Sequence, residues 1–327
     1  MIRINPILGD IGTEKTEPSP ILKYNLEDYG ISFTKNNADI LLIHSRLYPE
    51  YIENKQPKII IERADSSILY HKHVREAIDR NDVLSIIKTT TLRDEKLHNS
   101  DVYSGRYHCK LLNNYAKLGE NEEQNIKISC DNLKKIKCLI PTSIQDRFLS
   151  YKNLPSCKKE YDVMFVGNIC YDGISKPNIL NWHRNIVVKK LNELKSKYNV
   201  FLYAEKNGKI TLDQKTYQDI LNKSKICLSP WGMGEWNYRD FQSMYTKTVL
   251  IKPNSNHVFC YPIDIFENGK RYIPCSPDFC DLEQKIEMVL SNYENIHETL
   301  EDNKNKLIES WNINKLTYDF AKFIKNL

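Results

Sequence analysis

The chain has 327 residues, 41% hydrophobic and 27% charged, and its 47 basic and 42 acidic residues leave a net charge of +5. That length allows two domains with real cores, and the composition is ordinary for a globular protein. The charges are interspersed, with no arginine-rich patch and no aromatic RNA-binding pattern, which argues against a nucleic-acid partner.

In the first half, Ala38–His44, Lys58–Glu62 and Val83–Lys88 are apolar runs that predict strands, and Leu69 to Asp79 predicts a helix. Lys137–Pro141 is expected to be the last strand of this half, after a polar surface excursion from Asn121 to Lys135. Continuous apolar strands alternating with helices imply a parallel sheet covered on both faces. A polar stretch with Pro155 suggests a linker near residues 151 to 160. A second series follows: a strand over Asp162–Gly167, a helix over Leu180–Tyr198, a strand over Asn199–Tyr203 and a short helix over Tyr217–Lys223. Lys225–Leu228 and Thr248–Ile251 predict two more strands, and a helix begins near Asp281, which can cap it. Helices over 296 to 310 and 315 to 327 close the chain; the last has an apolar face that includes Leu316, Phe320, Phe323 and Ile324. The expected fold is therefore α/β, with two Rossmann-like domains facing a cleft. Residues 1–155 form the first domain, 156–310 the second, and 311–327 a C-terminal helix.

Between the two late strands lies the most informative segment, Ser229-Pro230-Trp231-Gly232-Met233-Gly234-Glu235-Trp236-Asn237-Tyr238-Arg239-Asp240-Phe241-Gln242. Two glycines let a backbone come close to a ligand, a following helix offers N–H groups to an anion, and Arg239 adds a fork that fits phosphate. No P-loop pattern G-x-x-x-x-G-K-S/T occurs, which argues against an ATPase or a P-loop kinase. No Asp-x-Asp occurs to hold a divalent ion, so arginine, lysine and helix N-termini are left to neutralise a diphosphate. The nine cysteines are odd in number, without a Cys-x-x-Cys pair, as expected of reduced thiols rather than a zinc site. No N-terminal leader pattern and no run of ~18 apolar residues is present, so a cytoplasmic location is expected.

Three stretches together carry a family resemblance. Ser224–Gly232, Tyr238–Gln242 and Val249–Pro253 resemble the donor-binding half of GT-B glycosyltransferases, in the group-1 (CgeB-like), exostosin-like and CAP10-like manner. Tyr161–Asn168 with His183 and Arg184 is similar to the first strand and helix of that half. The resemblance spans roughly residues 160 to 295 and departs from the pattern at Gln242, where many retaining members carry a glutamate for the donor ribose.

The resemblance implies a metal-independent glycosyltransferase, hexosyl or pentosyl and of undecided stereochemistry. It would move sugar from a nucleotide-diphosphate sugar to a glycan or glycoconjugate hydroxyl, with no cofactor. A lipid-linked acceptor would bring it against a membrane surface. Gly232 and Gly234 would contact the diphosphate through backbone N–H groups, and Gly167 would end its strand at the same cleft. Arg239 and Arg184 would neutralise the diphosphate, and Lys252 would reach a phosphate. Gln242 would hold the ribose, and Trp231 or Tyr238 would stack on base or sugar. Asp65, at the end of an apolar strand, is the candidate general base. The plainer alternatives are ion-paired arginines, core aromatics, and Asp65 as cap of a helix beginning near Ser66. His44, His71 and His73 are competing bases. The rival reading is a non-catalytic nucleotide- or sugar-binding protein on the same scaffold.

Overall fold

The computed structural model describes residues 1–8, 20–103, 105–117, 123–139, 150–155, 157–170, 179–205, 212–267 and 269–327. The first sheet contains β1 (Ile2–Ile7), β2 (Ile31–Phe33), β3 (Ile40–His44), β4 (Lys58–Glu62), β5 (Val83–Lys88) and β7 (Ile136–Cys138), in the spatial order β2-β1-β3-β4-β5-β7. The second contains β8 (Tyr161–Asn168), β9 (Val200–Glu205), β10 (Ser224–Leu228), β11 (Val249–Pro253) and β13 (Ile273–Cys275), in the order β13-β11-β10-β8-β9. All neighbours in both sheets run parallel.

The expected class, two parallel α/β sheets, is the one found. The apolar strands are buried throughout, as every residue of β3, β4 and β11 is. In each sheet the winding reverses beside its first strand, between β1 and β3 and between β8 and β10. Such a reversal opens a crevice outside the carboxyl ends of the flanking strands, where open α/β sheets bind ligands.

Several elements differ from the sequence reading. β1 and β2 were not expected; Asn5 and Pro6 interrupt the apolar pattern of β1. The first helix is confined to Lys72–Ala77, so no helix begins near Ser66 for Asp65 to cap. The helix Tyr107–Ala116 was not anticipated, because it buries His108 and Cys109 among polar neighbours. Asp281 precedes the helix Leu282–Ser291 but makes no side-chain cap; its carboxylate accepts from Ser276 N at 2.8 Å. Ile140 and Pro141 lie outside the described residues.

The two sheets are joined by more than a linker. Antiparallel β6 (Thr90–Leu92) and β12 (Val258–Cys260) form a ladder between the halves. One apolar cluster runs from Ile4, Ile21 and Ile61 through Met164 and Cys227 to Leu316, Phe320 and Ile324. The helix Ile313–Lys325 lies against the first half, with the Phe320 ring 5.8 Å from that of Tyr24 and Tyr318 6.2 Å from Tyr29. Burying its large apolar side chains contributes about 1.5–3 kcal/mol each. No helix among the described residues is long and apolar enough to cross a membrane.

Candidate functional site

The crevice of the second sheet is framed by the ends of β8 and β10, and two arginines reach it from different helices. Arg184, on the helix Ile179–Leu194, donates from Nη1 to Asn168 O at 2.6 Å and from Nε to Trp231 O at 3.3 Å. Arg239, at the start of the helix Tyr238–Tyr245, donates from Nη2 to Val166 O and from Nη1 to Leu228 O at 3.5 Å. The two guanidinium groups meet at Gly167. A Cβ there would lie 3.2 Å from Arg239 Nη2, 3.4 Å from Arg184 Nη1 and 3.0 Å from the Phe165 ring. Glycine is therefore the residue that lets both forks reach the strand end. The Arg239 guanidinium lies over the Phe165 ring, 5.3 Å from its centroid, and makes no ion pair among the described residues. Its Nε is buried without a hydrogen-bond partner. Tyr217 steadies it from behind: its hydroxyl lies against the guanidinium and donates to Gln242 Oε1 at 3.0 Å. Gln242 thus sits one residue behind Arg239.

Other expected parts of the cradle are engaged elsewhere. The first-turn N–H groups of Tyr238–Tyr245 are met by a capping box, with Asn237 Oδ1 accepting from Arg239 N at 3.1 Å and Asp240 Oδ2 accepting from Asn237 N at 2.9 Å. The helix start therefore answers its own donors and holds a carboxylate where an anion was expected. Lys252 is fully buried and pairs with Asp240 at 3.1 Å, so its ammonium is not presented to a phosphate. Trp231 is a core residue, wholly inaccessible, with Nε1 donating to Ser255 Oγ at 2.9 Å. Tyr238 is 40% exposed and edge-on to Trp236.

The glycine loop meets the first half of the chain. At Gly234 a Cβ would fall 1.9 Å from Asp65 O, so this glycine serves a backbone contact between the halves rather than an approach to a ligand. Gly232 is buried, and its carbonyl accepts from His108 Nε2 at 3.0 Å. Next to them Glu235 is fully buried and takes Ser67 N at 3.0 Å and Ser67 Oγ at 2.5 Å. His108 Nδ1 lies 3.5 Å away and His257 Nε2 3.9 Å away. Burial works against charge on His108, yet Cys109 and the Glu235 carboxylate raise it to about 10. Burial alone would raise Glu235, and His108 reverses this and holds it low. Arg106 adds a further tie, Nε to Met233 O at 2.9 Å. The sequence carries no periodic or spacing signal for this network, because its members lie in segments 67, 106–108, 233–235 and 257.

In the first sheet β4 ends in Glu62, fully buried. Its Oε2 pairs with Lys88 Nζ at 2.6 Å. Its Oε1 accepts from Tyr70 N and His71 N, each at 3.0 Å, and lies 3.1 Å from His71 Nδ1. Burial would raise this carboxyl, but Lys88 and His71 hold it at about 2. A carboxylate at Nδ1 favours the tautomer with its proton there, which leaves the lone pair on Nε2. The His71 side chain is 22% exposed. His73 is 5.3 Å from it, ring to ring, with Nε2 2.7 Å from Ser45 O. His44 is pushed down to about 4 by burial and by Arg63 and Arg46, so it is neutral near pH 7. Asp65 is exposed at the same edge. Among the described residues no group of three or more His, Cys, Asp or Glu side chains is disposed to hold a metal ion.

No protein-family profile matches the chain, and no curated protein matches it. Among solved structures it is similar in fold to TarM, at 12% identity and TM-score 0.47, over 93% of this chain and 57% of that one. The chain thus spans little more than half the length of TarM. It is also similar to a glycosyltransferase from Rickettsia africae ESF-5, at 10% identity and TM-score 0.47 over 99% and 98% of the two chains. Anabaena HepE, solved in complex with UDP, is 8% identical with TM-score 0.47 over 100% of both chains. At such identities the likeness concerns the fold alone.

Proposed function

We propose that the chain is a glycosyltransferase that moves a sugar from a nucleotide-diphosphate sugar to a hydroxyl of a glycan or glycoconjugate, without a metal or cofactor. The observation that carries this reading is the meeting of Arg184 and Arg239 at Gly167, in the crevice between β8 and β10. As the bond to the sugar breaks, negative charge grows on the leaving diphosphate. Two prepositioned guanidinium groups in a partly dry crevice stabilise that charge more than they stabilise the ground state. Tyr238, 40% exposed, stacks on the base or the sugar, and Tyr217 with Gln242 keeps Arg239 in place.

The acceptor lies over the ends of β3 and β4. His71, fixed by Glu62, takes the proton from its hydroxyl through Nε2, and Asp65 is the other base at that edge. The ladder β6–β12 and the Glu235 network hold the two halves together, so transfer proceeds in a crevice set by the fold.

The test is a thermal-shift series with UDP, GDP, CMP and their sugars, followed by product analysis. A nucleoside diphosphate that raises the midpoint, with release of that diphosphate from its sugar form, supports the reading. Binding without any release makes the chain a binding module, and no shift with any of them removes the donor site.

A further inference from the structure

We propose that the crevice at the carboxyl ends of β3 and β4 takes an acceptor bearing a negative charge, a carboxylate or a phosphate, beside the hydroxyl that receives the sugar. This inference rests on the reading of the chain as a sugar-transferring enzyme.

The winding of the first sheet reverses between β1 and β3, so β3 borders a crevice as β8 does in the second sheet. The residues that follow these strand ends are cationic. β3 leads into His44-Ser45-Arg46, and β4 into Glu62-Arg63. The Glu62 carboxylate is turned inward and matched by Lys88 at 2.6 Å, so it offers no charge to the crevice. His44 is buried, and its Nδ1 accepts from Arg46 N at 3.2 Å. Arg46 and Arg63 each stand two residues past His44 and Ile61, which pair across the parallel strands β3 and β4, so both leave the sheet at the same edge. Arg46 is exposed and makes no ion pair among the described residues. His71 and His73 complete the rim. The one acid from residue 63 to 75 is Asp65, and its backbone packs under Gly234 of the other half.

Guanidinium forks match the planar oxygens of a carboxylate or phosphate and gain little from a neutral hydroxyl. An acceptor held by Arg46 and Arg63 would bring a neighbouring hydroxyl to the His71 edge. The imidazoles do not form a competing metal set, since both Glu62 oxygens are already engaged.

Calorimetric titration of the full chain with methyl glucoside, methyl glucuronide and glucose 6-phosphate, with UDP present, tests this. At least one of the two anionic sugars binds about tenfold tighter than the glucoside, and which one does separates carboxylate from phosphate as the recognised group. Arg46→Gln reduces that preference to below about threefold, and so does raising the salt from about 50 to about 500 mM. Arg63→Gln, checked for an unchanged melting curve, has the same effect. Equal binding of all three sugars overturns the proposal. So does failure of both anions to bind at about 10 mM, or a preference that survives Arg46→Gln. UDP binding to the unaltered chain is measured first. Its failure removes the donor reading, whereas UDP binding without an anion preference removes only this inference.

Discussion

Gly234 lies directly against Asp65: a Cβ on the glycine would be 1.9 Å from the Asp65 carbonyl oxygen. The two residues lie in loops of different halves, 169 positions apart, and their contact is between backbones. The glycine-rich loop is thereby a joint between the halves, and the two arginines proposed to bind the diphosphate meet at Gly167 instead. Glu235, the next residue in the loop, extends the joint by accepting from Ser67 and pairing with His108.

Gly234→Ala should lower stability by about 1–3 kcal/mol, because a methyl group would have to displace backbone rather than a flexible side chain. Chemical denaturation measures this. A midpoint within error of the unaltered chain would show that the halves do not meet as described.

Arg239→Ala should weaken UDP binding by about tenfold or more, the loss of a charge-assisted contact. Tyr217→Phe should weaken it less, by loosening the fork. Both are read by calorimetry at fixed salt. UDP affinity unchanged in Arg239→Ala would dissociate this arginine from the donor.

His71→Gln should reduce kcat by about a hundredfold or more while leaving UDP affinity within about twofold. Asp65→Asn should leave most of the activity. The reverse pattern would exchange the two assignments. Glu62→Gln would break the buried pair with Lys88 and cost about 3–5 kcal/mol, so its effect on rate must be read beside its effect on folding.

The pH dependence of stability follows from buried histidines. His44 and His257 are held down at about 4, and His98 at about 3, in each case first by burial. These rings stay neutral in the folded chain while the unfolded chain gains protons below about pH 6.5, so stability falls as the pH drops through that range. His108 is shifted the other way, up to about 10. Its contribution is full below about pH 6.5 and declines as the pH rises towards 10. The denaturation midpoint should therefore be highest near pH 6.5, and His108→Gln should flatten the decline between about pH 6.5 and about pH 8. A decline of the same steepness in that variant would contradict the Glu235–His108 pairing.

The strands were legible where both faces are buried, because such a strand carries an unbroken apolar run of three or four residues, as in β3, β4, β8, β10 and β11. β1 was not, since Asn5 and Pro6 break its pattern. The helix Tyr107–Ala116 was not, since its buried face includes a histidine. In the site, the sequence pointed to Arg184, Arg239 and Gly167. It could not tell Lys252 in an ion pair from Lys252 at a phosphate, because both need a lysine at the end of a strand. Trp231 in the core and Trp231 at a ligand also look alike in sequence.

The sequence by itself determined the two α/β series, the glycine-rich loop of the second with its arginine, and the lack of P-loop and Asp-x-Asp patterns. These are properties of local order, periodicity and residue type. Only the tertiary structure decided which backbone comes against Gly234, which carboxylate holds His108 charged, and that Glu62 orients His71. Those are contacts between segments far apart in the chain, set by how two sheets pack, and neither glycine nor histidine carries in its neighbours any record of the partner it will meet.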